Sequence, residues 1–91
     1  MSTNRIHLAY LDGMSGVSGA EALLRELIRY SDAHGYVTDA LEGRYLLGML
    51  LLHRGSKDEG GRELQEVHGL AIAKGNRLIA EDAREALAGL S

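Results

Sequence analysis

Eight consecutive residues near the middle of the chain, Tyr45-Leu46-Leu47-Gly48-Met49-Leu50-Leu51-Leu52, carry no charge and little polarity. A helix that is apolar on every side has to be covered on several of them. The run therefore sets the fold: a central helix clamped between helices from the two halves of the chain. It is also far shorter than the roughly 20 apolar residues that cross a bilayer, so no membrane span is expected.

The rest of the composition points the same way. Proline, tryptophan, phenylalanine and cysteine are absent from the 91 residues, while glycine occurs 12 times. Without proline, helices are stopped by glycine and turn chemistry, and without large aromatics the core must be Leu, Ile, Val, Ala and Met. Hydrophobic residues at 45% and charged residues at 25% suit a soluble folded chain and argue against disorder. A chain of this length is one domain, residues 1–91, with a thin stability margin, since it buries only about two thirds of its unfolded surface.

Helix punctuation divides that domain. Apolar residues Ile6, Leu8, Ala9, Tyr10 and Leu11 predict a short helix from about Thr3 to Asp12, with a turn over Gly13 to Ser18. Ser18-Gly19-Ala20-Glu21 has the form of a capping box, and Ala20, Leu23, Leu24, Leu27, Ile28 and Ser31 then follow at helical spacing as far as His34. Gly35 is the expected stop, and the central helix starts between Tyr36 and Asp39 and ends at Gly55. Ser56-Lys57-Asp58-Glu59 is a second capping box for a helix that ends at Gly75. That helix should bury Leu64, Val67, Leu70, Ala71 and Ile72 and turn Glu63, Gln65 and Glu66 to water. Asn76 is the expected cap of a last helix carrying Leu78, Ile79, Ala83, Leu87 and Leu90. The fold class is all-α: about five antiparallel helices, as hairpins over about 3–34 and 36–74 with a closing helix over about 76–90. Gly43, Gly48 and Gly69 fall inside these helices, where each costs about 1 kcal/mol relative to Ala. Close helix crossings are the expected reason.

An offset of 40 residues aligns Leu24 with Leu64, Ala33 with Ala73, Gly35 with Gly75, Ala40 with Ala80, Arg44 with Arg84 and Leu47 with Leu87. These are the positions a stacked hairpin must reuse. In this pattern, and in Leu47-Gly48 followed by Leu51, Gly60, Leu64 and Val67, the chain resembles the tetratricopeptide-like (TPR-like) family of helical-hairpin repeats over residues 18–88. It departs from that family in replacing most aromatics by Leu, in lacking the terminal Pro and in its longer repeat. The resemblance implies a non-catalytic protein-interaction or scaffold module, whose first helix in each hairpin lines a groove for a partner peptide or helix. Tyr45, Met49, Leu52 and His53 recur along one side of the central helix and are the partner-binding candidates; the competing reading makes them core. With fewer than three repeats, a homo-oligomer or adjacent repeats of a longer chain are the expected cover for the end faces. The alternative function is an effector or oligomerisation domain of a bacterial transcription regulator or signalling kinase.

No catalytic, cofactor or metal constellation is legible. His7, His34, His53 and His68 include no pair at the i, i+3 or i, i+4 spacing of a helical metal site. The pairs Glu21/Glu26, Asp58/Glu59 and Glu81/Asp82 lie near helix starts or beside arginine, where dipole and ion-pair roles account for them. The stretch Asp12-Gly13-Met14-Ser15-Gly16-Val17-Ser18-Gly19 lacks the preceding strand and the Gly-Lys-Ser/Thr of a phosphate loop. Ten basic residues against thirteen acidic give a net charge of −3, and no basic block is present, which argues against nucleic acid as the partner. The N-terminus does not read as a signal peptide, so the cytoplasm is the default compartment.

Overall fold

The computed structural model describes residues 2–90. Met1 and Ser91, the two ends of the expected domain, lie outside the described residues. Among the described residues the chain forms five α-helices and no strand: α1 (Ser2–Met14), α2 (Ala20–Ala33), α3 (Val37–His53), α4 (Lys57–Ala73) and α5 (Arg77–Ala88). None of them is long and apolar enough to cross a membrane.

Three of the four connections are built alike. At Gly35, Gly55 and Gly75 the backbone takes φ of 73°, 87° and 76°, a conformation that a Cβ disfavours. The glycine N–H then donates to a carbonyl three residues back and the following N–H to one five residues back, as in Gly55 to Leu52 at 3.0 Å and Ser56 to Leu51 at 2.9 Å. The carbonyls at each helix end are satisfied within a three-residue turn. The turn glycines thus recur every 20 residues, and the 40-residue offset is two such periods. The small residues Ala20, Ala40, Gly60 and Ala80 recur at this period, and all are buried.

Short turns fold each helix back on the last. α3 packs against all four others: α2 and α4 on one side, α1 and α5 on the other. The odd helices form one layer and the even helices a second, in a slab whose Cα extents are 31 × 30 × 16 Å. The thin dimension is that of two helix layers, given interaxial distances of about 8–10 Å. Two apolar clusters share α3. One joins Ile6, Ala9, Leu24, Ile28, Leu46, Leu47, Leu50 and Leu51; the other joins Leu41, Leu64, Val67, Ala71, Ile79, Ala80 and Ala83. The leucines of the central run are thereby covered within one chain, with Leu50 fully buried.

Glycines make the close approaches. A Cβ at Gly48 would lie 2.8 Å from Leu64 Cγ, and one at Gly60 2.8 Å from Leu52 Cδ2, so α3 and α4 cross where each lacks a side chain. Gly43 meets Ile28 in the same way at 2.7 Å. Gly69 does not fit the crossing explanation, since nothing lies within 4 Å of its Cβ position.

Several local expectations are corrected. α1 continues through Gly13, because the residue is buried against Leu50 at a crossing, where a side chain would collide, and the turn starts only after Met14. Neither capping box forms. The N-cap of α2 is Gly19 and that of α4 is Ser56, and neither makes a side-chain cap bond. The glutamates that would close the boxes are drawn away by arginine: Glu21 pairs with Arg25 and Arg54, and Glu59 with Arg25. Asn76 does cap α5, its side chain accepting from the Ile79 N–H at 3.0 Å. Leu23, Ile72 and Leu78 point to solvent and are not part of the core, with Leu78 74% exposed. Glu63, expected in water, is only 19% exposed and lies 3.7 Å from Arg44.

Candidate partner-binding face

The α1 and α5 backbones both approach α3 but not one another, so a furrow runs along α3 between them. Its floor follows from helical geometry. Thr38, Glu42, Tyr45, Met49 and His53 fall within a sector of about 80° at 100° per residue, on the side of α3 between its two odd-numbered neighbours. Tyr45 and Met49 are partly buried and His53 is exposed. Tyr45 packs against both apolar clusters, and Met49 against the second.

α1 supplies His7, Tyr10 and Met14 at i, i+3 and i+7. Tyr10 and Met14 are partly buried against the first cluster. The His7 ring nitrogen Nε2 lies 3.1 Å from the Glu42 carboxylate, which ties α1 to α3 across the furrow floor. On the α5 side, Asp82 and Glu85 lie near enough to Tyr45 to act on its hydroxyl and form the far wall. Burial pushes the Tyr45 hydroxyl above its ordinary range, and Asp82, Tyr10, Glu42 and Glu85 push in the same direction. A neutral, half-buried phenol among three carboxylates is a hydrogen-bonding tip on an apolar body.

Of the four sequence candidates, Tyr45 and Met49 therefore share the furrow floor, with His53 at its α3 C-terminal end. Leu52 sits elsewhere. It is partly buried against Gly60 and the second cluster, and fills the α3–α4 crossing. Tyr10, Glu42, Asp82 and Glu85 were not named as partner-binding candidates from the sequence. A signal for two of them existed: the 40-residue offset places Asp82 opposite Glu42 and Glu85 opposite Tyr45.

The opposite side of α3 is polar. The backbones of α2 and α4 do not approach one another, and arginines bridge the gap between them. Arg54 reaches Glu21 at 2.8 Å, Arg25 reaches Glu59 at 3.2 Å, and Arg44 joins Asp32 at 2.8 Å to Glu66 at 3.4 Å. Burial raises the Glu63 carboxyl above its usual range, with Arg44 pulling the other way. Among the described residues no group of three or more His, Asp or Glu side chains is arranged to hold a metal ion. His34 stacks on Tyr30 with ring centroids 4.0 Å apart.

Comparison with protein-family models, with curated proteins and with solved structures found no match.

Proposed function

We propose that this chain is a non-catalytic interaction module of TPR-like design, which holds a partner peptide or helix in the furrow between α1 and α5. The observation that carries the reading is the floor of that furrow. Tyr45 and Met49 lie partly exposed on the one helix that packs against all the others, flanked by Tyr10 and Met14. Rigid aromatic area with a polar tip, beside adaptable thioethers, is the surface that recurrent protein-binding sites employ. Turn glycines that recur every 20 residues and helices stacked in two layers support the repeat assignment, as does a central helix packed against all four others. Leu8 and Leu11 on α1 are exposed at one end of the row, where a further repeat or a second copy would pack.

The test is capture of partners on immobilised wild type beside the Tyr45→Ala, Met49→Ala double variant, with helicity followed by circular dichroism. Loss of a captured partner with helicity unchanged supports the furrow. Retention of every wild-type partner by a folded double variant refutes it.

A further inference from the structure

The charge of the furrow names the chemistry of its occupant. Its walls and floor carry three carboxylates: Glu42 on α3, and Asp82 and Glu85 on α5. The charged groups that act on Tyr45 at the centre are all acids. His7 and His53 are the basic residues on this side, and His7 is engaged by Glu42.

The chain's strong cations are elsewhere. Arg25, Arg44 and Arg54 are spent in the α2–α4 seam on the opposite side of α3, and Arg84 is held by Glu81. Arg5 and Arg29 line a recess with Tyr30, His34 and Tyr36. Lys57 and Arg62 border the start of α4. Lys74 and Arg77 lie at the α4–α5 turn, in a separate depression beyond Thr38. A net charge of only −3 is thus distributed so that one apolar furrow carries three acids and no Lys or Arg over its central part.

From this juxtaposition we infer that the furrow takes a basic amphipathic segment, with apolar side chains on the Tyr10, Tyr45 and Met49 floor and Lys or Arg reaching Glu42, Asp82 and Glu85. The inference rests on the reading of the furrow as the binding face. Complementary charge of this kind sets the rate of encounter and the choice of partner more than the raw affinity. Three acids with no strong cation among them would reject an acidic segment carrying the same apolar residues.

The probe is a dye-labelled 18-residue peptide, a designed length of about 27 Å as a helix, with Leu on one face and Lys on the other. Its control has every Lys replaced by Glu. Binding is read by fluorescence polarisation at low and high salt. The Lys peptide should bind, weaken with salt as exposed charge pairs do, and lose about tenfold or more in affinity to the Glu42→Gln, Asp82→Asn, Glu85→Gln variant. The Glu peptide should not bind. A variant of equal net charge, Asp12→Asn, Glu26→Gln, Asp58→Asn, alters exposed acids away from the furrow and should bind like wild type.

Equal loss in both triple variants overturns the inference, since net charge alone would then explain the binding. So does a Lys peptide that fails to bind, or a Glu peptide that binds equally. Peptide affinity that falls as protein concentration rises also overturns it, by showing a second copy in the furrow. The Tyr45→Ala, Met49→Ala variant separates the two readings. If it abolishes binding of both peptides alike, the furrow stands and the charge inference fails. If it leaves Lys-peptide binding intact, the furrow itself is wrong.

Discussion

Two glycines in helix interiors have opposite fates on substitution. At Gly48 an added side chain meets the branch point of Leu64 at 2.8 Å, with the Gly60 carbonyl 3.5 Å away, so neither helix can yield without separating α3 from α4. Gly48→Leu should abolish the cooperative thermal transition; wild-type-like melting would refute the close-packing argument. At Gly69 the Cβ position is open and the residue exposed. Gly69→Ala should therefore stabilise by about 1 kcal/mol, which raises Tm by about 4–8 °C in a domain of this size. Sequence alone assigned both glycines the same expected reason, a close crossing, with Gly48 in the apolar run the better case. Propensity counts a cost per residue, but whether that cost is offset depends on what stands across the interface. Glu63 shows the same limit. Its place beside Glu66 reads as a solvated face, yet burial raises its pKa above 4.5 despite Arg44. A carboxyl with a raised folded pKa holds its proton more tightly in the native state. The stability this contributes is present in acid and lost as pH rises through the folded pKa. Glu63→Gln should thus be more stable than wild type at neutral pH. In urea titrations across pH, the difference should close as pH falls below 4.5.

At the scale of helices, the boundaries after α1 were legible and the capping boxes were not. Gly35, Gly55 and Gly75 end helices because the αL conformation excludes most other residues, a constraint that is local and so is written in the sequence. A capping box is weaker and competes with long-range partners. Arg54, 33 residues away, takes Glu21, and Arg25, 34 residues away, takes Glu59. Asn76 has no such competitor and caps its helix. The consequence is a ranking of three substitutions. Asn76→Ala should cost about 1 kcal/mol, within the range for a lost N-cap, whereas Ser18→Ala and Ser56→Ala should each change stability by less than half of that. Chemical denaturation of the three variants under one condition decides the order. The stripe residues Leu23, Ile72 and Leu78 misled for a related reason. Periodicity defines an apolar face, but its width in the fold is set by how many neighbours the helix acquires, and α2, α4 and α5 each have fewer than α3.

For the whole molecule, the controlling fact is that two apolar clusters meet on one helix. Leu46, Leu47, Leu50 and Leu51 of α3 belong to the first, Leu41 to the second, and Tyr45 touches both. The apolar run by itself implies such a meeting, since a helix without a polar face must serve two sides. The seam between α2 and α4 was not legible, because its partners come from turns and helices far apart in sequence. Exposed ion pairs contribute roughly 0–1 kcal/mol each, so that seam adds little to cohesion beside the clusters. Neither half of the chain should then persist without the other. Leu50→Ala in the first cluster and Leu64→Ala in the second each empty a fully buried site and should cost about 2–5 kcal/mol. If α3 couples the clusters, either substitution lowers amide exchange protection by the same free energy in α1 and in α5, although Leu50 packs beside α1 and Leu64 in the cluster with α5. Loss of protection confined to the helices nearest the substitution would instead divide the slab into two units that unfold separately. A furrow walled by α1 and α5 would then lack a fixed width, since its two walls would be held by independent cores.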